Sequence, residues 1–149
     1  MLDPSPLHGL HRQKVGPHEI VIELPDILHI RYHGDVELEH FKIFDATVLR
    51  LSQSVPIYIL RDAREGGNPS SETRSYIAKN VDVSRIIALV TYGSSFQART
   101  IATMLNKAMR RLHEETGVSV FFDTESEARV WIDEHRKQRE GRYGDAEKP

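Results

Sequence analysis

The chain has no cysteine. That excludes disulfides, thiolate metal sites and cysteine nucleophiles, and it fits a reducing compartment. Long apolar runs are also missing. None approaches the roughly 18 residues a membrane-crossing helix requires, so no membrane span is expected. The opening stretch MLDPSPLHGLHRQKVG has no basic region followed by a long apolar run and is not read as a secretory signal. Charge of one sign is lacking as well: 20 Lys and Arg stand against 22 Asp and Glu, a formal net charge of −2. Such a balance gives no long-range pull toward nucleic acid or an anionic membrane. The expectation is a cytoplasmic protein with no nucleic-acid partner.

What is present suits one domain, since 149 residues can enclose a single sizeable core. Hydrophobic residues make up 39%, slightly low because both ends are polar. Residues 1–16 read as a polar lead-in, 17–138 as the folded α/β domain and 139–149 as a disordered polar tail.

Within the domain, HEIVIEL and ILHIRYH both alternate apolar and polar side chains, the pattern of half-buried strands. Pro25-Asp26 between them is short enough for an antiparallel hairpin. The period then changes. Phe41, Phe44, Val48 and Leu51 share a helical stripe, with Asp35 placed as the cap. VPIYILRD and SRIIALVTYG are near-continuous apolar runs, as in parallel strands buried on both faces. A short helix is expected from about Ser70 to Asn80 between them. SSFQARTIATMLNKAMRRLHEETG is strongly amphipathic. Ile101, Leu105, Ala108, Met109 and Leu112 point inward, Ser94 with Gln97 forms a capping box, and Gly117 is the stop. VSVFF is a last strand, and a helix capped by Thr124 with Glu127 carries Ala128, Trp131, Ile132 and His135 inward. The order β-β-α-β-α-β-α-β-α predicts an α/β fold with a mixed, mostly parallel sheet flanked by helices.

That order resembles the STAS domain (sulfate transporter and anti-sigma-factor antagonist), and within it a stand-alone bacterial subgroup. The buried strand running into GSSFQARTIATMLNKAM, and the ending FFDTESEARVWI, carry the likeness, which spans about Glu19 to His135. The resemblance implies a non-enzymatic regulatory module in bacterial signalling that works by binding a protein partner. In anti-sigma-factor antagonists an Asp-Ser pair follows the central strand, and its serine is phosphorylated. Here Arg61-Asp62 ends the corresponding strand, but residues 63–69 intervene before Ser70 and Ser71.

The segment REGGNPSS is therefore open to several readings. It lacks the glycine spacing and the Lys-Ser/Thr pair of a nucleotide loop, and it lacks a serine elbow. A regulatory serine at a helix N-terminus, with Arg64 and Arg74 as partners for its phosphate, is one reading. A plain connection is the other: Gly66-Gly67 turn, Ser70 caps, and Arg64 to Asn68 is mobile.

His29, Arg31 and His33 share a strand face. His29 and His33 stand roughly 13 Å apart, too far to share a metal. Arg99, Lys107, Arg110 and Arg111 line the polar side of the long helix, diluted by Glu114 and Glu115.

Asp62, Ser70, Gly93, Ser94 and Asp123 should converge beyond the carboxyl ends of the parallel strands, where open α/β sheets gather ligands. The candidate regulatory or partner edge is thus Asp62, Arg64, Ser70, Ser71, Arg74, Gly93 and Ser94. Two functions compete: a protein-interaction module, and a binder of a small ligand (nucleotide, anion or lipid) at that same edge. No paired carboxylates, metal-ligand set or catalytic triad is legible, so no enzyme, cofactor or metal is expected. A homodimer through the first strand, an open sheet edge, is the oligomer the pattern allows.

Overall fold

The protein is described by a computed structural model covering residues 10–112 and 118–147. Its elements run β1 (Leu10–Val15), β2 (His18–Glu23), β3 (Ile27–Val36), α1 (Leu38–Ser52), β4 (Ile57–Pro69), α2 (Ser71–Asn80), β5 (Ile86–Tyr92), α3 (Phe96–Leu112), β6 (Val118–Phe122) and α4 (Glu125–Glu147). The six strands lie in the sheet in chain order. The first three are antiparallel and the last three join in parallel, so the sheet is mixed, as expected of an α/β fold.

Period-two alternation in the central strands builds two cores. Ile57 and Ile59 face Phe44 and Val48 of α1 and Ile77 of α2. Tyr58 and Leu60, with Ala88, Val90 and Tyr92, face Ala128 and Ile132 of α4. Ile57, Ile59, Ile86, Ala88 and Val90 are buried as expected, whereas Val120 and Phe122 are only half-buried because β6 ends the sheet.

Five readings of the sequence need correction. The lead-in is not entirely outside the fold: Leu10–Val15 form an edge strand on β2, and Val15 is buried. Its apolar signal is faint because an edge strand is held by ladder bonds and cross-strand charge, here Arg12 with Glu19 at 3.6 Å. The tail is not disordered through Glu147, since α4 continues to that residue. Its Arg, Glu and Ala residues are good helix formers even with few apolar side chains.

The glycine segment does not turn. It extends β4, pairing His33 with Glu65, Gly34 with Gly66 and Val36 with Pro69. Gly67 is needed for close approach, because a Cβ there would run into the carboxylate and backbone of Asp35. Asp35 itself lies in β3 rather than capping α1. Its Oδ1 accepts the Asn68 N–H at 2.8 Å, and the α1 N-cap is Glu37, with no side-chain bond.

The caps of α2 and α4 are as expected. Ser70 Oγ accepts the Thr73 N–H at 3.1 Å, and Thr124 Oγ1 accepts the Glu127 N–H at 3.2 Å. At α3 the cap is Ser95, not Ser94, through the Ala98 N–H at 3.1 Å. The side chains of Leu105, Lys107, Ala108, Met109, Arg110, Arg111 and Leu112, together with Glu114, Glu115 and Gly117, lie outside the described residues.

Candidate functional site

Beyond the carboxyl ends of β3 to β6, a cleft of about 300 Å³ opens between α2 and α3. The β4 extension forms one wall with Gly66, Gly67 and Pro69, and Ala98 and Ala102 of α3 form another. Gly93, at φ +74°, carries the chain from β5 toward α3. A Cβ at this position would strike the side chain of Arg64.

The floor carries the chemistry. Arg61 follows Ile57 and Ile59 on the same face of β4, at the point where the apolar core gives way to the cleft. Opposite Thr91 in the ladder, it donates from Nε to Thr91 Oγ1 at 2.9 Å. The Tyr32 hydroxyl lies beside it. Burial pushes that hydroxyl's pKa up, and the charge and hydrogen bonding of Arg61 act against the rise. Arg61 forms no ion pair with a carboxylate among the described residues, whereas Arg64, Arg99, Arg129 and Arg136 each hold one.

The residues singled out in the sequence divide. Gly93, Ser94 and Arg64 line the cleft. Ser94 Oγ accepts from Arg99 Nε at 3.2 Å, and Arg99 also holds the exposed Asp123 at 3.3 Å. Asp62 does not join them, because alternation turns it to the α4 face of the sheet. There Arg64 grips it with Nε to Oδ1 at 3.0 Å and a terminal nitrogen to Oδ2 at 2.7 Å. Burial works to raise the Asp62 pKa, but the bonds and charge of Arg64 hold it below the ordinary carboxylate range.

Ser70 also stays out of the cleft. Its hydroxyl caps α2 and meets Thr73 Oγ1 at 2.7 Å, while Thr73 Oγ1 donates to the Val36 carbonyl at 3.0 Å. Ser71 and Arg74 are exposed on α2, and neither lines the cleft.

The opposite face holds a second, open depression of about 470 Å³. Most of its polar groups pair: Arg31 with Glu19 at 3.6 Å, His33 with Glu65 at 2.7 Å, and Arg64 with Asp62, while Lys14 Nζ donates to the Pro17 carbonyl at 3.5 Å. Farther along that face α4 covers a closed polar network. Arg129 grips Glu23 with two bonds of 2.9 Å and Glu125 with one of 2.8 Å. Tyr92 donates to Glu125 at 3.2 Å and shares a 2.8 Å bond with Nε2 of buried His29. The Arg129 bonds, seconded by His29, bring the Glu23 pKa down to about 2. His29 is thus the helix-covered member of the strand-face trio, and Arg31 and His33 stay on the open side. No group of three or more metal-ligating side chains is found among the described residues. Trp131 stacks on His135 with ring centroids 4.7 Å apart, and His135 meets the Tyr58 hydroxyl at 2.9 Å, a packing role.

Sequence reasoning missed Arg61, Tyr32 and Thr91. The signal was present: in IYILRD, counting by two places a charged residue on the apolar face of a buried strand. Compared with protein-family models, curated proteins and solved structures, the chain finds no match.

Proposed function

We propose that this protein is a non-catalytic binding module that holds a small molecule with an anionic head group in the strand-end cleft. Arg61 carries the reading. A half-buried guanidinium is costly to desolvate without an anionic partner. Here one nitrogen is spent on Thr91, and no carboxylate of the described residues answers the charge. The fork of an arginine matches a carboxylate or phosphate, and a cleft of about 300 Å³ is of ligand-site size.

Calorimetric titration with acetate and with inorganic phosphate tests the proposal. Saturable binding of at least one is expected, weakened tenfold or more by Arg61→Gln. Binding of neither, or binding indifferent to Arg61→Gln, overturns it.

A protein-interaction role, the function suggested by the STAS-like order of elements, is favoured by one observation. Phe96 at the start of α3 is 87% exposed, with Met104 on the same helix 65% exposed. Phe96→Ser should then abolish capture of a partner while leaving acetate or phosphate binding intact. A partner retained at full affinity by Phe96→Ser argues against that surface.

A further inference from the structure

The cleft does not end at Arg61. A smaller cavity of about 80 Å³ lies between α1, α2 and the sheet, walled by Phe44, Val48, Ile59, Val83 and Leu89. It shares Tyr32, Phe41, Arg61 and Ile77 with the strand-end cleft, so the two meet around the guanidinium. One space is polar-mouthed and the other almost wholly apolar, and a single cation stands where they join.

We propose, resting on the ligand-binding reading above, that the ligand is a carboxylate-headed monoanion whose short apolar body enters this slot under α1. An apolar slot offers water few partners and favours hydrocarbon. Its volume holds about three methylene-sized groups.

The head carries one charge, because Arg61 is the cation left for it: Arg64, also on the cleft wall, is neutralised by Asp62. A phosphate head would bring roughly −1.5 to −2. The tail is uncharged, because Asp45 lines the slot and the walls away from Tyr32 and Arg61 are otherwise apolar. A second carboxylate at the far end would meet like charge.

The test is a calorimetric series of straight-chain carboxylates from acetate to decanoate at pH 7.5, with pentanedioate and butyl phosphate as comparisons. Affinity should rise about fourfold for each of roughly three methylenes that enter the slot, then level off. Pentanedioate and butyl phosphate should each bind at least tenfold more weakly than pentanoate. Leu89→Phe, which fills the slot from a half-buried wall position, should weaken pentanoate and spare acetate. Should that variant fail to fold, the series on the wild-type chain decides alone. Acetate binding that depends on Arg61 but does not grow with chain length overturns the slot and leaves the anion site standing. Butyl phosphate or pentanedioate binding as tightly as pentanoate overturns the monoanionic carboxylate. No binding by any member overturns both readings.

Discussion

Glu23 and His18 show how single titratable groups make this fold sensitive to acid. Glu23 has a folded pKa of about 2 against an ordinary 4.5, caused first by the Arg129 hydrogen bonds. The depressed acid contributes stability that is complete above pH 4.5 and is lost as pH falls toward 2, about 3 kcal/mol in all. Urea denaturation between pH 5 and pH 3 should show this loss, and Arg129→Met should flatten it while costing roughly 2 kcal/mol at neutral pH. An unchanged acid slope in the variant would assign the lability to other carboxylates.

His18 acts in a higher window. It is fully buried, its Nδ1 accepts the His33 N–H at 3.0 Å, and its Nε2 lies 3.2 Å from the Asp35 carbonyl. Those contacts require the neutral Nε2–H tautomer, and burial lowers the pKa, with the Asp35 bond acting the other way. The unfolded chain therefore takes up a proton first. Stability present above pH 6.5 is lost as pH falls below it. Denaturation midpoints at pH 7.5 and 5.5 should differ in the wild type, and His18→Gln should remove part of that difference.

Among the elements, β4 carries the main consequence. Its last residues keep pairing with β3 through two register shifts, so the Gly66-Gly67 stretch is a wall of the cleft rather than a free connection. Ala at position 67 would collide with Asp35, whereas Ala at 66 would meet the Tyr32 Cβ at 3.3 Å and Ala63 at ordinary contact distances of 3.5 Å and more. Gly67→Ala is therefore expected to cost about 1–3 kcal/mol and Gly66→Ala less, read by chemical denaturation. Equal effects would mean that the segment moves freely. The repeat-of-two signal was readable as far as Asp62. It stopped there because glycine has no side chain to show which way it faces, and Asn68 and Pro69 carry turn-like identities into a strand.

For the whole molecule, the six-stranded sheet joins an antiparallel half to a parallel half, and β1 closes the first core at its edge. Val15 is 1% exposed while Leu24, in the turn after β2, is 58% exposed. Val15→Ala should cost about 2 kcal/mol and Leu24→Ala less than about 0.5 kcal/mol. A mild Val15→Ala would show that the domain holds without its first strand, as the lead-in reading implied.

The sequence by itself determined the α/β class, five of the six strands, the four helices and the caps at Ser70 and Thr124. These follow from periodicity and from hydrogen bonds made within a few residues, which local composition encodes. Tertiary structure alone decided which side of the sheet each polar residue of a strand faces once its partners are chosen. It sent Asp62 to Arg64 on one face and Arg61 to a post with no carboxylate partner among the described residues on the other. It brought Tyr32 and Thr91 to that cation from separate strands, and Ser94 to the same cleft from a loop. Such a site is built from residues distant in the chain, and no spacing within one segment records their meeting.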